Sequence, residues 1–186
     1  MDRAELAIKK EFVLEQIKSA FSGVTREGGI SWREADALDS YGTLEVQAAE
    51  RAKDTDQSWM EVALDPDWTI DHYDSNFSFL DKIGFRYYIA AAIVRHLVMD
   101  REAQFLMYQL EPPDSLDRWD FNESQQLAIA SYVHYRVLDE QLRELLVELA
   151  AADMTFEEYT EVGETWVPGS FWQNALDYWQ QFLPNR

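Results

Sequence analysis

The residues whose types could do chemistry together are three aspartates and an arginine: Asp36, Asp39, Asp54 and Arg86. Two carboxylates flanking a substrate can act as general acid and base, and a guanidinium beside them can hold an anion. Spacing alone does not select this set, because the chain carries thirty-five Asp and Glu. Arg86 also has a structural reading that outweighs the catalytic one. It sits one turn into the most apolar stretch of the chain, where an unpaired guanidinium would be costly. A carboxylate partner is therefore expected, with Asp36, Asp39 and Asp81 as candidates. Asp39 is the one assigned, in an ion pair fixing the second helix to the central one.

Metal chemistry finds little support. Residues 54–76 are dense in aspartate (54, 56, 65, 67, 71 and 74). A calcium loop of the EF-hand type needs glycine at its sixth position and glutamate at its twelfth. Counting from Asp54 those positions hold Trp59 and Asp65; from Asp65 they hold Ile70 and Asn76. A solvated acidic loop with turn-forming aspartates fits better. Three residues before His72, His96 and His134 stand Thr69, Ile93 and Ser131, so the di-iron Glu-x-x-His motif does not occur. His96 and Asp100 are four apart on a helix, a spacing that suits a hydrogen bond more often than a metal. No metal and no cofactor is expected.

Nucleophile motifs are equally scarce. There is no Gly-x-Ser-x-Gly elbow, and Gly28–Gly29 lacks the lysine that follows a phosphate loop, so the pair is a turn. Cysteine is absent, which removes disulfides, zinc–thiolate sites, iron–sulfur clusters and cysteine nucleophiles. Sixteen Lys and Arg leave a net charge of −19. That balance opposes nucleic acid, whose phosphates need clustered cations, and attracts a basic partner. The first residues show no apolar signal core, and a cytoplasmic location is expected.

The elements that would position these groups read as helices. Phe79–Met99 contains an uncharged run, Tyr87–Val94, bounded by Arg86 and by Arg95–His96. A helix apolar nearly all round belongs in the interior, and this run is far below the roughly 18–20 residues of a membrane span. A buried central helix over about 82–99 is the expected organiser, with Asp81 as its cap. Residues 2–21 have helical spacing of Leu6, Phe12, Val13, Ile17 and Phe21. Ser31–Glu34 is a capping box for a second helix running to about Ser40, with Gly42 in the left-handed position beyond it. Thr43 caps a third helix at 44–53. Residues 54–76 read as loop with short turns near Trp59 and Ile70, and Glu102–Leu110 is helix, stopped by Pro112–Pro113. Asn122 caps the longest helix, about 123–152, whose Leu138, Leu142, Leu145 and Leu149 form a narrow seam. Thr155–Glu158 and Ser170–Gln173 are two further capping boxes.

The expected architecture is all-α: a single compact helical domain over 1–152 with an aromatic helical extension at 153–186. That extension carries Phe156, Tyr159, Trp166, Phe171, Trp172, Tyr178, Trp179 and Phe182. It packs back on the body, because so large an apolar face is rarely left exposed. Alternatively it docks on a partner or a second copy through Trp166, Trp172, Trp179 and Phe182.

Several stretches together resemble a bacterial family of uncharacterised proteins, DUF6714. They are GGISWREADALDSYG, Asp54 with Trp59-Met-Glu-Val62, SFLDKIGFRYYIAAAIVRHL and FNESQQLAIASYVHYRV. The residues matching the pattern are Asp39, Tyr41, Gly42, Asp54, Trp59, Phe85, Arg86 and Tyr88. Ala90 stands where the family usually has proline, which removes the reason for a kink there. The resemblance covers about residues 8–138 and implies a bacterial origin and a compact domain, with no activity to transfer. The seam beyond Leu138 and the aromatic tail read as additions. The leading functional reading is a soluble acidic module that binds a basic protein, or a second copy of itself, without catalysis, nucleic acid or membrane. An enzyme built on Asp36, Asp39, Asp54 and Arg86 is the alternative.

Overall fold

The helix at Lys82–Met99 explains most of the architecture, since thirteen of its eighteen residues are buried, from Gly84 to Leu97. A computed structural model describes residues 2–68, 70, 76–99, 104–112, 119–152, 154–155, 158 and 170–184. Among these the elements are α1 (Arg3–Ala20), α2 (Trp32–Asp39), α3 (Leu44–Arg51), α4 (Trp59–Leu64) and α5 (Asn76–Phe79). They continue with α6 (Lys82–Met99), α7 (Gln104–Leu110), α8 (Glu123–Ala152) and α9 (Gln173–Trp179), closed by a 3₁₀ turn at Gln180–Phe182. No strand occurs among the described residues. The protein is all-α. The long α8 packs against α1 and α9, while α6 packs against α1 and α4.

Local chemistry sets most of the helix ends. Asp81 Oδ1 accepts the Gly84 N–H at 2.8 Å, starting α6, and accepts the Ile30 N–H at 3.1 Å, tying the 28–30 loop to that start. Asn122 Oδ1 accepts from the Gln125 N–H, and the Gln125 side chain accepts from the Asn122 N–H and donates to the Ala20 carbonyl. The last turn of α1 is thereby joined to the first turn of α8. Trp59 Nε1 donates to the Phe21 carbonyl at 2.9 Å, pinning α4 to the same place.

Three local expectations change. The left-handed residue after α2 is Tyr41 (φ 56°), not Gly42. The Tyr41 N–H bonds to Leu38 and the Gly42 N–H to Ala37, which is the Schellman pattern. Glycine is needed at 42 because a Cβ there would lie 2.9 Å from the Ala37 carbonyl. A bulky side chain in the left-handed region costs roughly 1–2 kcal/mol. The Thr155–Glu158 box forms in both directions, whereas the Ser170–Gln173 box does not. There Glu140 of α8 accepts from the Ser170 hydroxyl and the Phe171 N–H, so the cap comes from a neighbouring helix. On α1, Phe12 faces outward and Leu14 takes the inward position.

Burial shifts the titration of His96 into a range that bears on stability. His96 is buried with Nδ1 3.1 Å from the Tyr132 hydroxyl. Burial, with the positive charges of Arg136, Lys10 and Arg143 facing it, pulls its pKa down to about 2. The unfolded chain takes the proton near pH 6.5. Stability contributed by neutral His96 is therefore complete above pH 6.5 and is lost as pH falls from there toward 2. Between pH 7 and pH 5 this amounts to about 2 kcal/mol. Urea midpoints at the two pH values should show that loss in the wild type and a smaller one in His96→Gln; equal losses would remove His96 as its source. Asp100, the sequence-based partner of His96, lies outside the described residues.

Candidate functional site

Trp32, Asp36 and Asp39 fall at i, i+4 and i+7, so they form one stripe along α2. That stripe is a wall of an open cleft of about 820 Å³. The segment after α3 supplies Lys53, Asp54, Thr55 and Asp56; α4 and the turn after it supply Glu61, Val62, Asp65, Asp67 and Trp68. Arg33, Asn76 and Tyr88 complete the described lining. Seven carboxylates thus face two cations.

Both of those cations are engaged. Asp54 accepts the Arg33 N–H at 2.9 Å and pairs with its guanidinium at 3.4 Å. Lys53 is paired with Glu50 on α3. Behind the wall, Asp56 accepts from Arg26 at 3.2 Å and from the Tyr87 hydroxyl. Burial, and then the hydrogen bond to Asp56, push the Tyr87 hydroxyl well above its ordinary range, so it keeps its proton and donates. Asp36, Asp65 and Asp67 remain exposed.

The floor is aromatic. Trp32 meets Trp68 and Phe77 edge-on, with centroids 5.1 and 5.2 Å apart, and Tyr88 at 5.2 Å. The Tyr88 hydroxyl accepts the Trp32 N–H at 3.0 Å, and burial raises its pKa. Each such ring pair adds about 0.5–1.5 kcal/mol beyond its burial, so the floor is stiff. Arg95 lies behind Trp68, its guanidinium carbon 5.7 Å from the ring, and donates to the carbonyls of Ala63 and Asp65. Trp68 is only 8% exposed, and its indole N–H has no hydrogen-bond partner among the described residues.

The residues singled out by sequence divide into three groups. Asp36, Asp39 and Asp54 line one cleft. Arg86 does not, and the expected Arg86–Asp39 pair is absent; the carboxylate that Arg86 meets is Asp120, at 3.6 Å. The reason is helical phase. Tyr88, two residues on and about 200° around the axis, is the side that faces α2, so Arg86 points away from it. The deeply buried guanidinium on α6 is Arg95, which the sequence reading placed at the flank. Two of the expected docking anchors, Trp172 and Trp179, are interior residues. Trp172 packs edge-on against Tyr132 beneath Arg136, and Trp179 donates to the Leu110 carbonyl at 2.7 Å and lies against Trp119. Phe182 is half-buried against Trp179. Trp166 lies outside the described residues. The rings of the cleft floor, Trp32 and Trp68, stand among charged residues in the sequence and are nonetheless buried.

Among the described residues no group of three or more His, Asp or Glu is placed to hold a metal ion. No described helix is long and apolar enough to cross a membrane. The fold and site define an all-α domain with a strongly acidic cleft over an aromatic floor. The chain belongs to the family of unknown function DUF6714, whose model matches residues 9–182. The family match runs well past residue 138, so α8 beyond Leu138 and the aromatic helix belong to the family and are not additions. No curated protein and no solved structure matches the chain.

Proposed function

We propose that the protein is a non-catalytic, cytoplasmic binding module that takes a basic segment of another protein in the acidic cleft. The supporting observation is how the charge is spread. Seven carboxylates line about 820 Å³, yet among the described residues no three converge on a point suited to a metal ion. Such a distribution fits a ligand whose own charge is strung along a chain. Lysine and arginine side chains supply that, and their aliphatic stems can lie along the narrow exposed edges of Trp32 and Trp68 in the cleft floor. The net charge of −19 adds long-range attraction and repels a phosphate backbone. Nucleic acid and membrane therefore form no part of the proposal, and loss of Arg86 from the cleft weakens the enzymatic alternative.

Tryptophan fluorescence on titration with hexalysine and hexa-arginine tests the reading. Binding should be clear at about 50 mM salt and at least tenfold weaker at about 500 mM, where screening is nearly complete within the cleft. Asp36→Asn with Asp67→Asn should weaken it about fivefold, at ~0.5 kcal/mol for each exposed ion pair lost. Failure of both peptides to bind at low salt would overturn the proposal.

A further inference from the structure

Helix α3 is anomalous, because none of its residues is buried. It is held against α2 by polar clasps rather than by a core. Arg51 reaches the Glu34 carboxylate and the Gly29 carbonyl, and the Gln47 amide donates to the Gly42 carbonyl at 2.7 Å. Its apolar residues are left outside: Leu44 is 78% exposed and Val46 46%. Just before it, Tyr41 occupies the left-handed conformation that glycine would take freely, and is 97% exposed. A tyrosine held in a strained backbone with its ring in solvent contributes little to the fold. The knuckle adjoins the cleft at both ends. Asp36 and Asp39 precede it on α2, Lys53 and Asp54 follow it, and Glu45 and Glu50 stud α3 itself.

We infer that the partner segment is amphipathic as well as basic, seating one or more apolar side chains on the Tyr41–Leu44–Val46 knuckle while its cations enter the neighbouring cleft. The inference rests on the cleft reading above and adds the partner's second chemical feature. Charge complementarity selects this occupant, since the apolar patch is rimmed by carboxylates and a second copy of so acidic a chain would be repelled.

The test compares two peptides of equal charge on the full chain: hexalysine, and six lysines interrupted by two leucines. The leucine peptide should bind the wild type roughly tenfold tighter, the effect of burying one aliphatic side chain. In Tyr41→Asn with Leu44→Gln that advantage should vanish while hexalysine affinity stays unchanged. Asparagine tolerates the left-handed backbone, so the melting temperature should not fall, which separates lost binding from lost fold. Equal binding of the two peptides by the wild type, or an advantage that survives in the variant, would overturn this inference alone. Failure of hexalysine to bind at low salt would overturn the cleft reading and this inference with it.

Discussion

Gly84→Ala should destabilise the protein by about 3 kcal/mol or more, the upper range for forcing extra volume into a packed interior. A Cβ on residue 84 would lie 2.3 Å from the Ile30 carbonyl oxygen, far inside contact distance. Neither side can retreat cheaply. Residue 84 begins the buried run of α6, and Ile30 is held to that helix by the Asp81 carboxylate, which also caps it. Gly29 is tight from the other direction, since a Cβ there would meet the Gly84 nitrogen at 2.8 Å. Two backbones therefore touch with no side chain between them. Thermal unfolding should show a drop of roughly 6–12 °C for a chain of this size. Gly23→Ala is the control: its φ of 75° is left-handed but nothing lies within 4 Å, so only the backbone penalty of about 1 kcal/mol remains. Equal effects at the two positions would refute the close-approach argument.

Trp179→Ala should be comparably severe, about 3–5 kcal/mol, the range for deleting a buried tryptophan. The ring is 1% exposed, lies against Trp119, Tyr178 and Phe182, and donates its N–H to the Leu110 carbonyl at the end of α7. Removing it opens a cavity and leaves that carbonyl without its indole donor. Trp179→Phe keeps much of the volume and loses the hydrogen bond, for about 1–2 kcal/mol. Chemical denaturation of the three proteins measures both steps. A Trp179→Ala variant as stable as wild type would mean that α9 does not belong to this core, and would revive the exchanged-arm reading of the aromatic tail.

The long, apolar elements were legible in the sequence and the close contacts were not. The spans of α6 and α8 follow from composition and from Asp81 and Asn122 as caps, signals contained within a few residues. Gly84 gave no warning, because a glycine inside an apolar helix looks incidental until a loop more than fifty residues earlier reaches it. Arg95 was misplaced for a related reason. Among the described residues it donates to the main-chain carbonyls of Ala63 and Asp65, and a carbonyl has no sequence signature, whereas Arg86 stands out by its place in the run. In the candidate site, Asp36, Asp39 and Asp54 were named together and do share a cleft. The floor beneath them was missed, because the meeting of Trp32, Trp68 and Tyr88 is a product of packing and not of spacing.

The joint between α1 and α8 also bears on how the chain is made. Gln125 and Ala20, which close it, are 105 residues apart. At a synthesis rate of about 5–20 residues per second, the first helix exists for roughly 5–20 seconds before its main partner begins to emerge. Throughout that interval Leu6, Val13, Leu14 and Ile17 have no α8 to cover them, and α6, their other neighbour, arrives only part-way through. Through that interval the apolar face of α1 is without its main cover, and the joint that fixes it closes only after residue 125 has been made.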